Sequence, residues 1–199
     1  MQFALRLVSY VFHPLFIPII GTILYFSLAP YSPLEQQSGT ILPIFILTVI
    51  IPIIFFFILK NLKLISINSQ TTKERIYPIL ISCGLYIMIL YKIIPQNYIN
   101  EIHYFFIGLL TSLIALLILL LLNYKASIHL TGMGSILIFL IGLSIHFKVN
   151  IIIPISILTF VSGLVASSRL YQKIHSISEI ILGLLIGIFS QLFLFKFWL

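Results

Sequence analysis

The stretch LLTSLIALLILLLL, Leu109 to Leu122, contains no charged residue, no proline and no glycine. Extended to about 103–123 it reaches the roughly 20 apolar residues that a helix needs to cross a bilayer core. Hydrocarbon offers the backbone no hydrogen-bond partners, so a run of this kind is predicted to satisfy its own N–H and C=O groups as a helix. Working outward, six further apolar runs lie at about 7–30, 40–59, 77–94, 130–147, 151–167 and 175–198, separated by short segments carrying most of the charges.

Composition agrees with that pattern. The chain is 61% hydrophobic and 8% charged, with mean hydropathy +1.22, whereas a soluble domain carries about 25% charged residues. The reading is a single all-α domain over 1–199, a polytopic membrane bundle of about seven transmembrane helices. The opening MQFALRLVSYVFHPLFIPII has no small-residue cleavage site and reads as a retained first helix. The net charge of +7 comes from 11 Lys and Arg against 4 Glu, with Asp absent. Without a basic tail it points to anionic headgroups and away from nucleic acid. The lone Cys83 excludes an internal disulfide.

Seven crossings would place the start of the chain and the segments near 60–76, 124–129 and 168–176 on one face. That face collects Arg6, Lys60, Lys63, Lys73, Arg75, Lys125, Arg169 and Lys173, and the other only Lys92, Lys148 and Lys196. A positive-inside count would put the first face in the cytoplasm. If Lys73, Arg75, Lys125 and Arg169 serve chemistry instead, the remainder is nearly balanced and fixes no orientation.

The charged face has a pattern of its own. In SRLYQKIHSISE, Ser168 to Glu179, His175 and Glu179 are four apart at the mouth of the last helix, so they share one face and can hydrogen-bond. A carboxylate on one imidazole nitrogen fixes the tautomer and leaves the other to act as nucleophile or base. Arg169, across the turn, offers a rigid donor fork that matches phosphate oxygens. NYKASIHLTG adds Lys125, Ser127 and His129 at another helix start, itself a place where free N–H groups favour anions. TTKERIYP adds Lys73 and Arg75.

Ser168, Arg169, five residues, His175, three residues, Glu179 resembles the third signature of the type 2 phosphatidic acid phosphatases, relatives of the vanadium haloperoxidases, which reads S-R-x5-H-x3-D. Ala126 to His129 is similar to their second signature, P-S-G-H, in Ser127 and His129. Their first, K-x6-R-P, has no clean counterpart: Lys73, Arg75 and Pro78 share the face at a different spacing, and position 68 is Asn. Glu179 stands where the family has Asp, and Ala126 and Ile128 replace Pro and Gly. The likeness covers roughly the last 75 residues. It implies a six-helix phosphatase core, here plus one helix, with the site on the extracytoplasmic side, and the Ile-, Lys- and Asn-rich usage points to a bacterial plasma membrane. It further implies hydrolysis of a lipid phosphomonoester or pyrophosphate, of the phosphatidic acid, phosphatidylglycerol phosphate or undecaprenyl pyrophosphate class, through a phosphohistidine and without metal or other cofactor. His175 would be the nucleophile, Glu179 its orienter and His129 the general acid and base. Arg169, Lys125, Ser127, Arg75 and Lys73 would hold the phosphate.

Two other functions fit the same residues: an anion-binding or transport protein, and a catalytically inactive relative. Lys60, Lys63, Lys173 and Arg6 read as headgroup contacts. His13 reads as a packing or capping residue, with contact to substrate as its second reading. Glu101, His103 and His146, on the opposite face, are too few and too scattered to argue for a metal. Gly183 and Gly187 form a small-xxx-small pair, first of all a close helix contact and secondarily a homodimer surface.

Overall fold

In the computed structural model, the described residues are 11–30, 33–64, 72–96 and 98–199, with Thr72 and Lys73 described in backbone only. The apolar runs all become helices. α1 is Ile17–Leu28, entered through a short 3-10 turn at Pro14–Phe16. α2 covers Leu34–Asn61, α3 Thr72–Lys92, α4 Asn100–Leu121, α5 Ile128–Phe147, α6 Ile152–Tyr171, α7 Ile177–Leu192 and α8, a single turn, Phe195–Trp198. Six of these, α2 to α6 and α7 continued through α8, are long and apolar enough to cross a membrane. The first expected span is shorter: among the described residues it is the apolar helix Pro14–Leu28, and residues 1–10, including Arg6, lie outside them.

α2 is not a uniform helix. Pro52 has no N–H to give to the preceding turn, and Ile46–Ile50, between Pro43 and Pro52, widens into a π turn. Thr48 returns its hydroxyl to the Ile44 carbonyl at 2.8 Å. Four helices, α2 among them, end in a left-handed residue, with Lys63, Asn123, Lys148 and Lys173 at φ between 53° and 62°. Each closes its helix by the same pair of reverse hydrogen bonds, such as Ile174 N–H to the Arg169 carbonyl and Lys173 N–H to that of Leu170.

α5 is the centre of the bundle. Its most apolar window is 61% buried, against 11% for α6 on the outside. α7 packs along it most extensively, with α1, α4 and α6 around the remainder, while α2 and α3 lie beyond α1 and α4. The core between α1, α4 and α5 is aromatic: Phe105 stacks on Phe139 at 4.2 Å, and both are fully buried. The α5–α7 seam instead depends on missing side chains. A Cβ on Gly134 would stand 2.6 Å from the Leu184 carbonyl oxygen, and one on Gly183 would stand 2.5 Å from that of Ser127. At Gly187 it would collide with the Thr131 carbonyl. Gly183 and Gly187 are therefore buried against α5 of their own chain. This close packing leaves no room for a second chain at these two positions, so the homodimer surface read from them is already occupied.

Because the obstructing atoms are backbone, Gly187→Ala is expected to cost about 1–3 kcal/mol and to lower the thermal midpoint in detergent. Gly163, on α6 with nothing within 4 Å of its absent Cβ, is the control: Gly163→Ala should leave the midpoint unchanged or raise it.

Candidate active site

At the start of α7, Ser176 caps the helix and Glu179 completes a capping box: the Glu179 N–H donates to Ser176 Oγ at 3.3 Å and the Ser176 N–H to Glu179 Oε2 at 3.4 Å. The same Oε2 lies 2.6 Å from His175 Nδ1. Helix capping and histidine orientation thus use one carboxylate. The His175 side chain is 3% exposed and that of Glu179 26%, so the imidazole is inside and its partner is at the edge of water.

Two guanidiniums act on this pair. Arg75, from the first turn of α3, interacts electrostatically with both Glu179 and His175. Arg169, held at the end of α6 by the left-handed Lys173 turn, acts on His175 as well. Burial pushes the His175 pKa down from its ordinary value of 6.5. The Glu179 bond opposes that shift, and the two arginines add to it. The outcome is a neutral imidazole at neutral pH, with Nδ1 donating to Glu179 and the lone pair on Nε2.

The second helix start is tied to the first by backbone. The Ser127 N–H donates to the Glu179 carbonyl at 3.0 Å, and Gly183 lets the two helix starts approach. Ser127 is fully buried, and its hydroxyl oxygen takes the N-cap of α5, accepting from the Leu130 N–H at 3.5 Å. Two residues on, His129 is buried as well. Its ring meets that of His13 edge-on, with centroids 5.3 Å apart, and His13 lies in the field of Arg169. The groups form one continuous cluster: Arg75, Glu179, His175, Arg169, His13, His129.

His13, which reads from the sequence as a packing or capping residue, is indeed a cap. It caps the Pro14–Phe16 turn, with Nδ1 accepting from the Leu15 N–H at 3.3 Å. The signal was present in H-P at a helix entrance, but its approach to His129, 116 positions away, is tertiary. Burial, and then Arg169, push its pKa down to about 4.

Lys125, expected at the phosphate, is half-buried in the segment before α5 and makes no hydrogen bond or ion pair with the described residues. Lys73 stands in the first turn of α3 next to Glu74, but its side chain lies outside the described residues.

At the opposite end of the bundle His146 Nε2 and Glu101 Oε1 are 3.0 Å apart, and the Tyr25 hydroxyl donates to Glu101. His103 Nδ1 is bound to the Ile94 carbonyl at 2.7 Å. Among the described residues no three His, Cys, Asp or Glu are grouped to hold a metal ion. Compared with known protein families, characterised proteins and solved structures, the chain matches none.

A histidine kept neutral in the fold favours folding above its unfolded pKa and loses that contribution as pH falls. Between 6.5 and about 4, His13 stays neutral in the folded chain and becomes protonated in the unfolded one. The lowered His175 acts in the same direction. Thermal stability in detergent should therefore fall from pH 7 to pH 4.5, and His13→Asn, which keeps a capping side chain, should flatten that profile.

Proposed function

We propose that the protein is a membrane phosphatase acting on a lipid phosphomonoester or pyrophosphate, a relative of the type 2 phosphatidic acid phosphatases. One observation carries the reading: an imidazole whose Nδ1 is fixed by Glu179 at 2.6 Å, with two guanidiniums acting on the same ring. A neutral histidine so oriented is a nucleophile, and paired guanidiniums match the equatorial oxygens of a phosphoryl group in flight.

The reaction runs in two displacements. The His175 Nε2 lone pair attacks phosphorus in line, an N–P bond forms, and the bond to the lipid oxygen breaks. His129, protonated for this step, gives its proton to the departing oxygen and becomes neutral. His129 then takes a proton from water, whose oxygen attacks the phosphohistidine; the N–P bond breaks and inorganic phosphate leaves. Glu179 stabilises the imidazole as charge develops on it, while Arg75 and Arg169 hold the oxygens in both steps. Lys73 and Lys125 would serve as longer-range cations at the rim. In this reading α1 is a seventh membrane segment added to a six-helix core, and the site opens on the extracytoplasmic side of a bacterial plasma membrane.

Purified protein should release phosphate from phosphatidic acid, phosphatidylglycerol phosphate or undecaprenyl pyrophosphate in the presence of EDTA, as read by a colorimetric phosphate assay. His175→Ala should abolish release. His129→Ala should lower kcat by about 10²–10⁴-fold and let an acid-labile, alkali-stable phosphoprotein accumulate. An anion bound or transported without any release would make the chain a carrier, and release abolished by EDTA would remove the metal-free route.

A second measurement concerns Glu179. Glu179→Gln keeps the size of the side chain but loses the charge that holds the imidazole. By analogy with carboxylates that orient catalytic histidines, kcat should fall by at least about 10²-fold, with KM changed far less.

A further inference from the structure

His13 belongs to two environments at once. On one side its ring abuts His129 and lies in the field of Arg169. On the other it lines a cavity of about 290 Å³ between α2 and α3, whose walls include Pro52, Phe55, Phe56, Pro78 and Ser82. The walls are almost entirely apolar, and they begin where the cationic cluster ends. A ligand that fills both must be a phosphate attached to an apolar chain, and His13 stands where one gives way to the other.

The tautomer of His13 follows from its cap. Nδ1 accepts the Leu15 N–H, so in the neutral ring the proton is on Nε2. That N–H makes no hydrogen bond to any described residue. It can only donate, and because the ring stands at the mouth of the apolar groove as well as against His129, the acceptor that reaches it is an oxygen close to the join of phosphate and chain.

We propose that His13 is a specificity-determining residue that donates from Nε2 to a hydroxyl or ester oxygen of a glycerol-type linkage, at the junction between a phosphate in the cationic cluster and a single chain in the α2–α3 groove. This rests on the lipid phosphate reading of the site and narrows it to phosphates that carry such an acceptor. Simple alkyl phosphates would fill the groove without satisfying His13. Asparagine at position 13 can both cap the turn and donate, whereas alanine can do neither.

The test compares lysophosphatidic acid, which carries both acceptor types, with dodecyl phosphate, which has a chain and a phosphate only. In the wild type, kcat/KM for each is measured by phosphate release; in a His175→Ala background, binding of each is followed by ³¹P NMR. His13→Ala should weaken lysophosphatidic acid by about tenfold in both measurements, the scale of one hydrogen bond, and dodecyl phosphate by less than about twofold. His13→Asn should recover most of the difference. Ser82→Trp, filling the groove, should weaken both ligands while leaving ethyl phosphate unchanged. An equal loss for both ligands in His13→Ala overturns the proposal, as does a groove block that spares the long chains. If the wild type turns over neither ligand but the binding pattern holds, recognition by His13 stands and hydrolysis is what fails.

Discussion

The contact on which the rest depends is the one along the N-terminal turns of α5 and α7. It consists of the Ser127 N–H donated to the Glu179 carbonyl at 3.0 Å and of the absence of side chains at Gly183, Gly187 and Gly134. In a bilayer there is little hydrophobic force to bring two apolar helices together, so close backbone approach and interhelical hydrogen bonds must do it. Here the contact also sets the register. Joining residue 127 to residue 179 brings the His129 and His175 helix starts to the same level. A slip of one turn along α7, about 5.4 Å, would separate them and put side chains where the glycines are.

Around this seam the site is assembled by helix termini rather than by helix faces. Ser127 and Ser176 are N-caps, Arg169 sits at a C-terminal turn, Arg75 in the first turn of α3, and His13 caps a 3-10 turn. At these levels charged groups are near water and lipid headgroups, where their desolvation costs least, and yet the hydrogen bonds that end each helix hold their backbones rigid. Glu179 shows the economy of the arrangement, since capping the helix already places its Oε2 where His175 needs it.

This explains which parts were legible in the sequence. The helices were, because their signal is an uninterrupted apolar run, and so was the His175–Glu179 pair, because four residues on a helix determine a contact without knowledge of the fold. Arg75 could be brought to the site by counting crossings, a coarse argument that needs only its face and not its neighbours. Gly183 and Gly187 announced a close contact but not its partner, and that partner is α5 of the same chain. His13 could not be assigned, because what matters is its distance from His129, set by the packing of α1 on α5. The shortness of α1 was equally hidden: hydropathy ran on through 7–30, and the described helix begins only after Pro14.

The bundle offers its own control for the importance of the arginines. At the far end a second histidine–carboxylate pair, His146 and Glu101 at 3.0 Å, joins α5 to α4, with Tyr25 of α1 donating to the same carboxylate. Two of the chain's four carboxylates therefore each hold a histidine, one at either end. In the far pair the His146 ring lies against those of Phe147 and Trp198, and the geometry of the pair fastens three helices. The near pair has Arg75 and Arg169 in its field and a second histidine cluster beside it. In the proposed reading, a pairing that is structural beside aromatic rings serves phosphoryl transfer among guanidiniums, which attract an incoming anion to the nitrogen that the carboxylate leaves available. The distinction lies in the company of the pair, and α1 spans both settings, with Tyr25 anchored at one end and His13 presented at the other.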